Sequence, residues 1–371
     1  TLTNGCMPCS QELSGSVEVF VAKASTAGVW QWALKSSTVT DSETTGRAYA
    51  SAIAVDSYGD VYVGGSYLHD LTLGSLSAFW DSDGGNVPSG GYDIFVAKVN
   101  DSSSAYWEWV ARAGKPQSEY VNDLDIGPNG DVYIVGSYYG SQGSSSGYQQ
   151  NLHFYSSGDP GETGNGALTA EGQGVQGFVA ALNSSGSWLW VYVDSDGNNE
   201  DCESTSGIDV HSSGAVYVTG THSGCSSFAN LGVGGSNGSS VDLFVAKFTT
   251  QGNFQWALSY GSIYPESNPL KGVISSNDGV YMTGYTYPRG SSHIDAYILK
   301  ASDSGQLDWV FSFGGNDYDV GIGLALDSNE DLFVVGEFTS SQIPIGNPNV
   351  NSNGDRTVFV ARWDDLDLDG V

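Results

Sequence analysis

A repeated strand–turn–strand constrains this chain more than any other feature. AIAVDSYGDVYVGGS, from Ala52 to Ser66, places two alternating β-branched runs around the turn Asp56-Ser57-Tyr58-Gly59-Asp60. Gly59 falls where a four-residue hairpin loop needs a left-handed residue. The pattern returns as DLDIGPNGDVYIVGS from Asp123, GIDVHSSGAVYVTGT from Gly207, GVISSNDGVYMTGY from Gly272 and GLALDSNEDLFVVGE from Gly323, giving five copies. Glu330 stands at the turn-glycine position of the fifth copy, and the fourth turn is one residue shorter.

A second hairpin recurs beside the first. Val17 to Lys23 reads as a strand, followed by a Ser-Thr-Ala-Gly turn and the strand Val29 to Leu34. FVAK at Phe20 is matched at Phe95, Phe178, Phe244, Tyr297 and Phe359, a spacing of 53 to 83 residues. The tryptophan strand Trp30-Gln31-Trp32 is matched at Trp107-Trp109, Trp188-Trp190, Phe254-Trp256 and Leu307-Trp309. The unit is therefore four strands, a (IAVD), b (VYVTG), c (FVAK) and d (WxWA). Four short antiparallel strands at this period predict an all-β chain, a β-propeller of four-stranded blades. The count gives five blades, with six or seven as the alternatives, closed by the N- and C-terminal strands. Residues 1–16 form an irregular lead-in, 17–363 the propeller, and 364–371 an acidic tail. Tryptophans at i and i+2 are expected on one face of strand d. Recurring in every blade, they read as wedge-filling residues.

These repeats (GIAVDxxGDVYVTGS-like hairpins, DxFVAK strands and GxxxWA strands) resemble the secreted β-propeller repeat family, of SBBP type, with a blade order similar to that of NHL repeats. The resemblance covers Val17 to Trp363. It implies a propeller fold and an exported protein, and the family has no common catalytic motif to carry over. Its members are often drawn with seven blades.

In a meander the a–b and c–d turns share one end and the b–c and d–a loops the other. The first set is short. The b–c connections are long: Leu68 to Tyr92, Tyr139 to Gln176, His222 to Val241 and Thr339 to Arg356. Long insertions on one end of a rigid scaffold suit a binding face. The strand count does not close, because five a–b hairpins and five d strands accompany six c strands. One surplus c strand must be displaced, packed outside, or paired with another subunit. Unpaired edges invite partners, and such exchange would build head-to-tail assemblies or filaments.

The net charge of −30, from 42 acidic and 12 basic residues, opposes nucleic acid and anionic lipid as partners. No apolar run approaches a membrane span. Cys202 precedes the third a–b hairpin and Cys225 follows it, so a disulfide is expected if both lie at one end; Cys6 and Cys9 form a close pair with no second pair to complete a zinc site. With the Ser/Gly-rich loops this points to a secreted or cell-surface protein, read as a mature form lacking its signal peptide. Sequons stand at Asn100, Asn183 and Asn237.

Calcium is the cofactor the sequence supports best. Asp365-x-Asp367-x-Asp369-Gly370 matches the first half of an oxygen-rich calcium loop and resembles the start of a thrombospondin-type acidic repeat; Asp81-Ser82-Asp83-Gly84 and Asp194-Ser195-Asp196-Gly197 are weaker versions. Loop tyrosines Tyr138, Tyr139, Tyr148, Tyr155, Tyr264, Tyr285 and Tyr287 are candidates for ligand stacking. The run Gly172-x-Gly174-x-x-Gly177 lacks the βαβ context of a dinucleotide fingerprint, and Gly234-x-Ser236-x-Gly238 lacks the strand–turn–helix of a nucleophile elbow. His69, His153, His211, His222 and His293 show no metal spacing. Asp56, Asp125, Asp209 and Asp327 recur at equivalent or nearby places, which favours turn capping over a pair of catalytic carboxylates. Asp319 starts an a strand. No catalytic residue is assigned. The sequence-level expectation is an exported, non-enzymatic, acidic propeller acting as a surface, adhesive or self-assembling structural protein. The alternatives are a calcium-dependent glycan-binding lectin and a polysaccharide-cleaving enzyme. A glycan or a surface protein would be the outside partner.

Overall fold

The structure is a computed structural model. It describes residues 17–38, 46–79, 91–114, 118–139, 152–159, 168–170, 175–193, 203–223, 241–261, 272–287, 293–345, 350–352 and 355–363. These residues form strands, turns and irregular segments and contain no helix. The chain divides into two compact units, Thr1–Ser195 and Asp196–Val371.

In the first unit the strands are β1 (Phe20–Ala24), β2 (Trp30–Thr38), β3 (Arg47–Val55), β4 (Val61–Leu68), β5 (Leu71–Leu73), β6 (Leu76–Ala78), β7 (Asp93–Asn100), β8 (Tyr106–Gly114), β9 (Glu119–Ile126), β10 (Val132–Tyr139), β11 (Leu152–Tyr155), β12 (Leu168–Ala170), β13 (Val175–Leu182) and β14 (Trp188–Val193). The a–b–c–d order appears as antiparallel β3-β4-β7-β8 and β9-β10-β13-β14, preceded by the c–d hairpin β1-β2, which forms the sheet β1-β2-β5-β6.

The second unit holds β15 (Glu203–Val210), β16 (Ala215–Ser223), β17 (Val241–Thr249), β18 (Phe254–Tyr260), β19 (Val273–Ser276), β20 (Gly279–Thr286), β21 (Asp295–Ser302), β22 (Leu307–Phe313), β23 (Asp319–Leu326), β24 (Leu332–Phe338), β25 (Gln342–Ile343), β26 (Val350–Asn351) and β27 (Thr357–Trp363). Two complete four-stranded sheets, β15-β16-β17-β18 and β19-β20-β21-β22, precede the three-stranded β23-β24-β27. The repeated four-stranded antiparallel sheets are those of a β-propeller-like, all-β fold.

A glycine on strand b sets the spacing within each sheet. Gly65, Gly136, Gly220 and Gly336 lie beneath the c-strand rings of Phe95, Phe178, Phe244 and Phe359, which are 0 to 3 % exposed. A Cβ at these glycines would fall 2.0 to 2.2 Å from the carbonyl oxygens of Tyr49, Tyr120, Ser204 and Val320 on strand a. Each of those a strands bulges there, skipping one residue of the pairing.

A second bulge corrects the expectation about the tryptophans. Lys98 pairs with Trp109 and Val99 with Trp107, so Glu108 is skipped and the two rings point to opposite faces. The same shift occurs between Lys23 and Ala24, Ala181 and Leu182, Lys247 and Phe248, and Lys300 and Ala301. Trp107 packs with Val61, Val63 and Val99 on one face, and Trp109 with Tyr62, Ile94 and Val96 on the other.

Within each unit, successive sheets are tied at their short-turn ends. Trp32 Nε1 donates to Asp101 Oδ1 at 2.8 Å, Trp109 Nε1 to the Ser184 carbonyl at 2.9 Å and Trp256 Nε1 to the Asp303 carbonyl at 2.9 Å. In each case the acceptor lies in the c–d turn of the following sheet. Lys23 and Lys247 pair with the same Asp101 and Asp303, while Lys98 and Lys300 reach Asp60 at 2.9 Å and Asp278 at 2.8 Å in their own a–b turns. Burial pushes the Asp101 carboxyl up, but Lys23 and Trp32 outweigh it and hold it below the ordinary value. The turns themselves follow the sequence reading. Gly59, Gly130 and Gly214 are left-handed, and Glu330 takes the same conformation at φ 66°. Asp56 Oδ1 accepts from the amides of Tyr58 and Asp60, and Asp327 Oδ1 from those of Asn329 and Asp331.

Three stability effects follow. Gly220→Ala is expected to cost about 3 kcal/mol, because the clash is with backbone. Trp109→Phe should lose about 1 kcal/mol for one neutral hydrogen bond. Glu330→Gly should raise stability by relieving roughly 1 kcal/mol of left-handed strain. Urea midpoints of the purified variants check all three.

Candidate functional site

The long-loop ends of the sheets carry the polar groups that the sequence reading did not single out. Asp93 and Asp295 begin c strands and Asp242 is the second residue of one, each two residues before the aromatic ring. Each carboxyl sits over a glycine at the end of strand d. A Cβ at Gly114, Gly261 or Gly314 would lie 2.4, 2.0 or 2.2 Å from an oxygen of Asp93, Asp242 or Asp295. The local signal was available in sequence as an Asp before FVAK paired with a Gly after WxWA.

In the sheet β15-β16-β17-β18 this row breaks the repeat. His222 pairs directly with Asp242, so both side chains share a face. Both are buried, at 2 % and 5 % exposure. A 2.8 Å hydrogen bond joins His222 Nε2 to Ser259 Oγ, and the imidazole lies against the Phe244 ring. Burial raises the Asp242 carboxyl above its ordinary value, opposed in part by His222. The buried Oδ1 of Asp242 makes no hydrogen bond. This histidine, serine and aspartate are sunk in the sheet, so the arrangement latches β16, β17 and β18 together.

The neighbouring row behaves differently. Asp319 Oδ2 accepts from the Gly315 amide and Ser340 Oγ, both at 2.7 Å. Asp295 approaches the same Gly314, and its carboxyl is raised by burial, with His293 opposing and Asp319 adding to the rise. Asp209 reaches from its own sheet to the next, accepting from the Ser275 amide at 2.8 Å and from the Ser275 hydroxyl. It is a bridge between sheets rather than a turn cap.

The long b–c insertions are partly consumed by structure. β5-β6, inserted between β4 and β7, adds to the outer edge of β2, and β11-β12, inserted between β10 and β13, adds to the outer edge of β8. Each insertion thus extends the preceding sheet, and Leu71, Leu73, Leu152 and Phe154 are fully buried in doing so. Arg112 stacks on Tyr155 at 4.0 Å where β8 meets β11.

The residues singled out from sequence are scattered. Tyr138 is fully buried with its ring against Phe178, which places it in the core instead of a stacking surface. Tyr155 is buried too, at 3 % exposure, so neither tyrosine offers a ring to a ligand. Tyr139 follows Tyr138 in β10. Tyr285 and Tyr287 are half-buried and meet edge to face, 6.4 Å between centroids. Asn183 Oδ1 accepts from the Ser185 and Ser187 amides in a c–d turn, and Asn100 ends β7. His69 is left-handed between β4 and β5, His153 bonds Thr169 and His211 bonds Ser213. Outside the described residues lie Asp81, Asp83, Asp194, Asp196, Asp365, Asp367, Asp369, Cys6, Cys9, Cys202, Cys225, Tyr148, Tyr264 and Asn237. Among the described residues no three His, Cys, Asp or Glu side chains are grouped to hold a metal ion.

No family model matches the chain. An uncharacterized WD repeat-containing protein of Acanthamoeba polyphaga mimivirus is 24 % identical over 404 residues, covering 91 % of this chain and 27 % of that protein. The chain therefore spans about a quarter of the relative's length. A protein of unknown function from Bacteroides caccae aligns at 11 % identity and TM-score 0.36, over 77 % of this chain and 74 % of that one. Another, from Dyadobacter fermentans, aligns at 9 % identity and TM-score 0.42, over 88 % and 86 %.

The raised Asp242 gives a signed pH dependence. A carboxyl whose folded value lies above its unfolded one makes stability fall as pH rises from about 4 through the folded value. Asp242→Asn should remove that fall. Wild-type and variant midpoints compared from pH 4 to 7 check it, and parallel curves would count against the assignment.

Proposed function

We propose that the chain is an exported, non-enzymatic scaffold whose repeated sheets are blades of one propeller, and that it works through association at the cell surface or in an extracellular assembly. One observation carries this reading. Val358 and Val360 on β27 are 69 % and 71 % exposed, while their repeat equivalents Ile94, Val96, Leu243, Val245, Ala296 and Ile298 are 0 to 2 % exposed. In the inner sheets those positions are buried between adjoining sheets, as Ile94 and Val96 are with Val121 and Leu124. Val335, at 38 %, continues the uncovered apolar face onto β24. An apolar face of this kind marks an interaction site. The high negative charge keeps the rest of the surface solvated and leaves this β24–β27 face as the adhesive part.

A calcium-dependent lectin is the second reading. Its support is the half-buried Tyr285–Tyr287 pair at the long-loop end and the Asp-rich sequence of the tail. Polysaccharide cleavage is the third reading.

Sedimentation across a concentration series tests the main reading. The expected outcome is concentration-dependent association that Val358→Asp with Val360→Asp abolishes. A wild-type chain that stays monomeric at high concentration would remove the reading, and chelator-sensitive glycan binding would favour the lectin.

A further inference from the structure

Among the described strands, every c strand but one has a b strand on its inner edge. β7 lies beside β4, β13 beside β10, β17 beside β16, β21 beside β20 and β27 beside β24. Among the described strands β1 pairs with β2 alone. The two c-type strands that compete in the sequence count are thereby distinguished, because β27 holds the c position next to β24, with Phe359 over Gly336. Val21 of β1 and Val19 just before it, 5 % and 3 % exposed, pack onto the face of β3-β4-β7-β8 that carries Val61, Val63 and Phe95.

The inner edge of β1 leaves three apolar side chains uncovered. Phe20 is 57 % exposed, whereas the equivalent Phe95, Phe178, Phe244, Tyr297 and Phe359 are 0 to 3 % exposed. Ile53 and Val55 on β3 are 61 % and 60 % exposed. They stand opposite Val63 and Val61, so they point to the very face on which β1-β2 packs. Of the equivalents of Ile53 in later sheets, Leu124, Ile208 and Val273 are 4 to 8 % exposed and Leu324 is half-buried. The slot is this uncovered β1 edge together with Ile53 and Val55, exposed on the sheet face that β1-β2 packs against.

We propose that this slot takes an extended b-type strand from a second polypeptide carrying the same repeat. Its backbone would add to the β1 edge. Its alternating β-branched side chains would cover Ile53 and Val55. A glycine would sit opposite Phe20, since every b strand paired with a c-strand phenylalanine in the described structure places glycine there and has no room for a Cβ. That requirement, a V-x-V-x-G pattern in the correct register, is what makes the slot selective for this repeat over other extended peptides. The proposal rests on the association reading and names where one partner strand would enter.

The probe is a labelled synthetic peptide, AIAVDSYGDVYVGGS, the sequence of residues 52–66. It is titrated into the full chain by fluorescence anisotropy, with hydrogen exchange of the complex. One peptide is expected per chain, with new protection at Phe20–Ala24. A peptide with valine at the position of Gly65, and a Phe20→Asp chain, should each bind at least 10-fold more weakly. Phe20 is exposed, so its substitution leaves the fold in place, and Ile53→Asp supplies an independent lesion on the slot floor. Absence of binding, or binding indifferent to both Phe20→Asp and Ile53→Asp, overturns the proposal. A chain that self-associates but refuses the peptide loses the slot and keeps the association reading. A chain that binds the peptide yet never self-associates keeps the slot and loses that reading.

Discussion

The contact on which this architecture depends is a phenylalanine ring of strand c seated on a glycine of strand b. At Gly65, Gly136, Gly220 and Gly336 the missing Cβ lets the ring approach the backbone, and the neighbouring a strand bulges so that its carbonyl fills the remaining space. Three strands are thereby fixed in one register. A register slip of one residue would move the ring to the opposite face and leave the glycine uncovered, so the lock also resists strand slippage. Strand d joins by its own bulge, which turns one tryptophan to each face and lets the second reach the following sheet.

The same geometry separates the two ends of each sheet electrostatically. At the short turns, carboxylates such as Asp60, Asp101, Asp278 and Asp303 meet lysines and are held below their ordinary values, although burial alone would raise most of them. At the long-loop ends the buried Asp242 and the half-buried Asp295 are opposed by histidines rather than lysines and are raised. Acid therefore weakens the first set and relieves the second. A chain with a net charge of −30 has few lysines; Lys23 and Lys247 join successive sheets, while Lys98 and Lys300 pair within their own.

The hairpins were legible in the sequence because their signals are local. Alternation sets the strands, and Gly59, Gly130, Asp56 and Asp327 set the turns. What was not legible depends on long-range pairing. The i, i+2 tryptophans suggested one face, and only the pairing of Lys98 with Trp109 and Val99 with Trp107 shows the bulge that splits them. No local pattern says that β5-β6 joins β2 or that β11-β12 joins β8, so insertions that looked like free loops proved to be outer strands. Candidate site residues fared worse. Most were chosen from loop composition and lie outside the described residues, while Tyr138 has the sequence of a loop-edge aromatic and the burial of a core residue. The buried aspartates at the starts of strand c did carry a sequence signal, in the recurrence of Asp two residues before the aromatic ring.

An array built by one repeated lock is complete only where every strand has both neighbours. β1 keeps its phenylalanine in solvent, and β27 keeps two valines there, because the lock and the sheet-on-sheet contact are each half-made. The measurement that bears most directly on this is hydrogen exchange of the β1 amides, Phe20–Ala24, followed as a function of protein concentration. If a partner chain completes the exposed ends, protection of these amides rises with concentration while that of an inner strand such as β7 stays constant. Protection that is already high at the lowest concentration, or that remains low and unchanged throughout, would contradict the account.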